Sequence, residues 1–414
     1  MKLRIGSCHI LDSVFKVLTS VKTNFENKKL LHHFNGYVPC PENKSIITGE
    51  LNLWQQEDYK ESNITKLCTT FYDKKKYIIH YRHLKLVLSL GLRLDRVHRV
   101  MQFAQKPFLK EYIDINTELR KKATSDFGKD FFKLMNNSVY GKTMENVKNR
   151  INFRLISTED EAWRVKNMKN FTIFDSCLVG VHITKKKVLL NKPIYLGQCI
   201  LDDSKHLMYS FHYNFMLKHI ERNNIDLLFT DTDSLCYHIR GMDVNKFMLE
   251  HKDMFDLSNY PKDSELYDGT NMKVIGKAKN ESPEHCITEF VGLRAKLYSY
   301  KKNGCSEEEK RCKGVKRSVR NNDLTFDMYK DCLFNHSNKT IKQNGIRSYG
   351  HQLYSETVSK VGLSYCDDKV YICDDNIKTY NFGHKMLSLS HAMVSNVNKF
   401  DNMMESIEHE IKNL

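Results

Sequence analysis

Asp231 and Asp233 stand two residues apart in LLFTDTDSLCYHI, Leu227 to Ile239. Two carboxylates at one turn suit a hard divalent cation, because Mg2+ is typically held through one or two carboxylates together with substrate phosphates. The flanking residues say how such a pair would be held. Leu227, Leu228 and Phe229 read as a buried strand running in, and Leu235, Tyr237 and Ile239 alternate as a strand running out. Residues two apart on extended chain point the same way, but a turn splays them, so one carboxylate can face a site while the other props the turn. A plain Asp-rich hairpin turn has the same spelling, so the rest of the chain decides between the two.

Further groups could act beside this pair. Lys133, Asn137, Tyr140, Gly141 and Met144 share one face of a predicted helix that Ser125 or Asp126 would cap. A cation, an amide, a phenol and a gap make a poor core and a good nucleotide surface. Lys133 would pair with phosphate, Tyr140 would pack on a sugar or base, and Gly141 would let a base pair approach the backbone. The alternative is an ordinary surface helix. In GLRAKLYSY, read as one strand, Arg294, Lys296, Tyr298 and Tyr300 face one way and Leu293, Ala295, Leu297 and Ser299 the other. Cations interleaved with aromatics suit a nucleic-acid backbone, although a solvated edge strand looks alike. Lys313, Lys316, Arg317 and Arg320 extend the basic surface, and Lys185, Lys186 and Lys187 form a triplet at a turn.

Composition agrees with a polyanionic partner. The 414 residues carry a net charge of +15 and are 41% hydrophobic, enough for a large core or two to three packed subdomains. No apolar run approaches the roughly 18 residues of a membrane span, and MKLRIGSCHILDS lacks the core and cleavage site of a secretory signal. The twelve cysteines are scattered without a CxxC pair, which reads as free thiols in a reducing, intracellular compartment.

The positioning elements follow in order. LDSVFKVLTSVKTNF, with Leu11, Phe15, Leu18 and Val21, is predicted as an amphipathic helix. YIIHY reads as a strand, HLKLVLSLG as a helix ending at Gly91, and RLDRVHRVMQF as a strand with Leu94, Val97, Val100 and Phe103 on an apolar face. PFLKEYIDINTELRKKA, burying Leu109, Tyr112, Ile113 and Leu119, pairs with the next helix as an antiparallel hairpin. INFRLIS, NFTIFDSCLVGVHI and KKKVLLNKPIYLG form a β-rich insertion. A long aromatic helix after Pro193 leads into the acidic hairpin, with Tyr209, Phe211, Tyr213 and Phe215 in the core. The C-terminal part combines a helix, short strands and a final acidic helix. The fold class is α+β, with helices packed on antiparallel sheet.

The order of the motifs resembles a known family. KLMNNSVYGK fits the KxxxNSxYG motif of family B DNA polymerases, FTDTDSLCYHI fits their DTDS motif, and AKLYSY resembles their later Lys-x-Tyr motif. CKGVKR follows where that family has a Lys-rich turn. IDINTELRKKA and DFFKLMNNSVYGKTMENV are similar to the protein-primed branch, especially polymerases of Maverick/Polinton-type mobile elements and related viruses. The resemblance covers about residues 74–390.

It implies a palm with Asp231 and Asp233, helical fingers and a small C-terminal thumb. The divisions would be 1–73, a poorly defined N-terminal remnant; 74–106, the first part of the palm; and 107–150, the fingers. A β-rich insertion at 151–194, a palm segment at 195–320 and a thumb-like region at 321–414 would follow. Asp233 would be the principal Mg2+ ligand and Asp231 a supporting one. Lys133 would bind the triphosphate of a dNTP, while Asn137, Tyr140 and Gly141 shape the nascent base-pair pocket. Lys296 and Tyr298 would hold the primer end of primer–template DNA, with Lys313 and Lys316 on the backbone. A terminal priming protein is a further implied partner, and nuclear or viral replication sites are equally compatible locations.

Two expected parts are not found. The family takes another palm aspartate from an earlier motif of the form DxxSLYP or DxNxLYG, and the nearest candidate, GELNLWQ, holds Glu50 out of register. The acidic clusters of a 3′–5′ exonuclease are also missing. The chain therefore reads as a truncated or internally deleted copy of low expected activity. The alternatives are an inactive DNA-binding remnant and, from a different class, a nucleotide-sugar transferase using DxD.

Overall fold

The computed structural model describes residues 2–5, 14–22, 34–104, 106–349 and 352–387, and it is a mixed α+β structure with several small sheets. The alternation around the two aspartates does form a hairpin. Ile225–Asp231 pairs antiparallel with Ser234–Ile239, Asp231 lying opposite Ser234. These two strands open a five-stranded sheet that continues with Lys2–Ile5, Ala278–Asn280 and Phe255–Asp256. The strand Lys2–Ile5 therefore lies directly against the acidic hairpin, with Leu3 opposite Leu235 and Arg4 opposite Ser234.

One long helix backs this sheet. It runs Ile194–Ser210, widens into a π-helical stretch at Phe211–Met216 and ends with Leu217–His219. Helical spacing divides its side chains between two cores. Met208, Phe211, Phe215 and Met216 join Leu3, Leu235, Tyr237, Phe247 and Phe255 under the five-stranded sheet. Tyr209 and Tyr213 join Val21, Phe34, Ile79, Leu84 and Val87 on the opposite side. The four aromatic residues expected in the core, Tyr209, Phe211, Tyr213 and Phe215, are all buried.

The second core lies beside a sheet ordered Lys74–His80, Val14–Lys22, Arg93–Phe103. The predicted amphipathic helix around Val21 is thus corrected to a central strand, Val14–Lys22. Its Val14, Val17, Thr19 and Val21 are β-branched and fit a pleated surface better than a helix; Leu11 lies outside the described residues. Arg93–Phe103 is a strand, but Val97 and Val100 are exposed rather than on a buried face. Their spacing of three cannot hold one face of a strand, and the pairing with Val14–Lys22 shifts register twice. The helix Tyr81–Ser89 ends as predicted, with Gly91 at φ 101°.

The helical hairpin comprises Lys110–Lys122 and Asp126–Thr143, the latter capped by Ser125 Oγ accepting from Gly128 N at 3.1 Å. It stands largely in solvent. Tyr112 and Leu119 are exposed, contrary to expectation, and Asn116 is the buried residue of the first helix. The insertion forms a three-stranded sheet of Asn152–Ile156, Leu178–Ile183 and Met168–Asp175. KKKVLLNKPIYLG adds no strand: its end, from Ile194, starts the long helix after Pro193.

Toward the C-terminus, Ile287–Arg294, Leu297–Lys302 and Glu309–Cys312 form a sheet covered by the helix Phe326–Phe334. A long hairpin, Lys339–Tyr349 with Gln352–Leu363, rises from the same core. Residues 364–387 return to pack on residues 35–72, where Gln55 Nε2 donates to the carbonyls of Asp367 (2.9 Å) and Val370 (3.1 Å). The predicted final acidic helix lies outside the described residues. None of the described cysteines is in a disulfide, and no helix among the described residues is long and apolar enough to cross a membrane.

Candidate active site

The acidic turn consists of Thr232 and Asp233, between the paired residues Asp231 and Ser234. Thr232 has φ 58°, a left-handed conformation that costs a non-glycine residue about 1 kcal/mol. Asp231 Oδ1 accepts from Thr232 Oγ1 at 3.1 Å, so this carboxylate braces the turn. Both aspartates are half-exposed.

GLRAKLYSY is not one strand. Ala295 and Lys296 form a turn joining Ile287–Arg294 to Leu297–Lys302, with Arg294 opposite Leu297 and Lys296 at φ 61°. No glycine, proline or asparagine marks this turn, so the alternation continues through it in the sequence. Its effect is to point Lys296 at the acidic hairpin, where Lys296 Nζ lies 2.5 Å from Asp231 Oδ1. Below the turn, Tyr298 is buried and stacks on Phe229 of the acidic hairpin, ring centroids 4.2 Å apart. Burial pushes the Tyr298 phenol up to about 12, with Arg311 opposing and Asp231 adding to the shift. Leu297, Ser299 and Tyr300 are buried too, so this strand has no solvent-facing aromatic side.

The basic turn is attached to the same place. Lys313 N donates to the Lys296 carbonyl at 3.2 Å, setting the two turns side by side. The Gln343 side chain then clamps the turn from the long hairpin: Oε1 accepts from Lys316 N at 2.9 Å and Nε2 donates to Gly314 O at 3.2 Å. Lys360 Nζ donates to the same carbonyl at 3.0 Å. Lys313 and Lys316 are exposed. No motif in the sequence singles out Gln343 or Lys360.

Lys133, Asn137, Tyr140 and Gly141 lie on the helix Asp126–Thr143. Lys133 and Tyr140 are half-buried, Asn137 and Gly141 exposed, and a Cβ at Gly141 would meet open space. Burial raises the Tyr140 phenol. Gly197 on the long helix allows this helix to approach closely, since a Cβ there would fall 2.3 Å from Met144 Sδ and 2.9 Å from Thr143 Oγ1. The long helix in turn meets the acidic hairpin through His212 Nδ1 and Tyr237 OH, 3.0 Å apart. The stripe and the acidic turn are therefore joined through a shared support, whereas Asp231, Lys296 and Lys313 are brought together directly.

Two half-exposed carboxylates at a rigid turn fit one hard cation completed by water and phosphate oxygens. They do not provide for a pair of cations. Among the described residues no group of three His, Cys, Asp or Glu side chains could hold a metal. The neighbouring strand, which could supply a further carboxylate, reads Lys2, Leu3, Arg4, Ile5.

No family model matches the chain, and no curated protein does. A solved structure described as Phi29 DNA polymerase complexed with primer-template DNA, a post-translocation binary complex, is similar with a TM-score of 0.44 and 14% sequence identity. The similarity covers 87% of this chain and 53% of that one, so the chain spans about half the length of that polymerase.

Proposed function

We propose that this chain is a DNA-directed DNA polymerase of the family B type, which adds a nucleotide from a dNTP to a primer 3′ hydroxyl. The observation that carries the reading is the 2.5 Å contact of Lys296 with Asp231. Two of the polymerase-like motifs, 65 residues apart in the chain, meet in one site with Tyr298 stacked beneath them. In this reading the hairpin and the long helix belong to the palm, the helical pair forms the fingers, and residues beyond 320 the thumb.

Asp233 is the principal ligand for Mg2+ and Asp231 supports it. The ion, when bound, supplies charge neutralisation at the α-phosphate and activation of the attacking hydroxyl. The other roles belong to the chain itself. Lys133 attracts the triphosphate, and Asn137, Tyr140 and Gly141 form one wall of the base-pair pocket. Lys296 holds the primer strand, and the buried Tyr298 ring, stacked on Phe229, supports that turn from below. Lys313 and Lys316 contact the DNA backbone as point charges, so binding weakens with salt. A terminal priming protein is the further partner that this reading allows.

A second reading, an inactive DNA-binding protein of the same descent, is favoured by the strand Lys2–Ile5, which sets no carboxylate beside the acidic turn. Primer extension with Mg2+ separates the two. Extension by the wild type that disappears in Asp233→Ala supports the polymerase. A wild type that binds primer–template in a salt-dependent way but extends nothing overturns it in favour of the second reading.

A further inference from the structure

We infer that Lys296 is an exchangeable counter-ion of the acidic turn, so that DNA and a divalent cation bind this chain cooperatively. The inference rests on the metal and DNA roles proposed above and adds how one controls the other. Asp231 cannot serve the Lys296 ammonium at 2.5 Å and a dication at the same oxygen without placing two positive centres side by side. A phosphodiester can take the ammonium instead, because Lys–phosphate contact replaces a condensed counter-ion on DNA.

The local construction allows this exchange without wider rearrangement. Lys296 and Thr232 both occupy left-handed turns that fix the two backbones, φ 61° and 58°. The Phe229–Tyr298 stack holds the hairpins together from below. Only the lysine stem has to swing, and both partners are open to solvent, with the side chains 47% exposed for Lys296 and 30% for Asp231. Lys313, whose N–H is bonded to the Lys296 carbonyl, and Lys316 stand where an incoming strand would first be attracted. In free protein Lys296 competes with the cation; on DNA it is engaged by phosphate and Asp231 is released. By linkage the cation then strengthens Lys296's hold on DNA by the same factor.

The test uses Mn2+ as the probe, with free ion followed by electron paramagnetic resonance at constant ionic strength. Wild type, Lys296→Gly and Asp233→Asn are titrated with and without a dideoxy-terminated primer–template, no dNTP present, and DNA alone is the blank. Glycine removes the ammonium and relieves the left-handed turn, so the variant keeps the fold. Expected is a wild-type Mn2+ affinity raised about three- to tenfold by DNA. Lys296→Gly should already bind that tightly without DNA, and DNA should then add less than about twofold. If DNA-free Lys296→Gly binds no tighter than DNA-free wild type, the counter-ion role is overturned while the metal site stands. If no arm shows binding that Asp233→Asn removes, the metal reading fails and this inference with it.

Discussion

The long-helix region and the segment from the helical hairpin through the β-insertion differ most in where they put their large apolar side chains. Phe255 is 1% exposed, ringed by Phe211, Phe215 and Phe247. Phe127 on the helical hairpin is 81% exposed, Trp163 in the insertion 80%, and Ile173 and Leu189 are exposed as well. The two regions share a similar vocabulary of residues, so composition does not separate them. What separates them is a partner element: the long helix lies between two buried cores, whereas the helical pair and the small sheet leave these side chains in solvent. The first region packs its apolar side chains beneath the acidic turn, and the second leaves its own exposed.

That contrast can be sharpened or broken by substitution. Phe255→Ala should cost about 3–5 kcal/mol in urea unfolding, whereas Phe127→Ala should stay within about 0.5 kcal/mol. Similar losses at both positions would break the distinction. A pH titration probes the interior next. His83 is buried against Tyr209, neither ring nitrogen has a hydrogen-bond partner among the described residues, and burial drops its pKa to about 3, with Lys205, His206 and His80 adding to the shift. Its folded pKa lies below the unfolded value, so the unfolded chain gains the proton first. Stability is full above about pH 6.5 and falls toward pH 3 by up to roughly 4 kcal/mol. His83→Phe should flatten that part of the profile.

At the rim the effects shrink. Gln343→Ala removes the clamp on the Gly314–Lys316 backbone and should weaken DNA binding about two- to fivefold with an unchanged salt slope. Lys316→Ala should instead lower the slope of log affinity against log salt by about one, with a modest loss of affinity, in a fluorescence-anisotropy titration. Equal behaviour of the two variants would mean that the Gln343 clamp is what keeps the Lys316 ammonium on the phosphate.

Which parts were legible follows from the range of the interactions. The acidic hairpin, the Ser125-capped helix, Gly91 as a helix stop and the buried aromatic helix are written in neighbouring residues. Val14–Lys22 is ambiguous because its apolar residues satisfy a helical spacing and a strand at once, and only its β-branched content favours the strand. Lys2–Ile5 is four residues long, too short for a period, and its partner strand starts at Ser234. The turn at Ala295–Lys296 lacks turn residues because Lys296 itself takes the left-handed conformation. Of the candidate site, the residue types were legible, but the Lys296–Asp231 contact and the Gln343 clamp depend on separate hairpins meeting.

The π-helical stretch at Phe211–Met216 has a consequence for unfolding. Within two turns it delivers Phe211, Phe215 and Met216 to one core and Tyr213 to the other. Unwinding this segment would withdraw side chains from both cores at once. The two sheets should therefore lose structure in a single cooperative step, with tyrosine fluorescence and far-ultraviolet dichroism tracing one coincident transition.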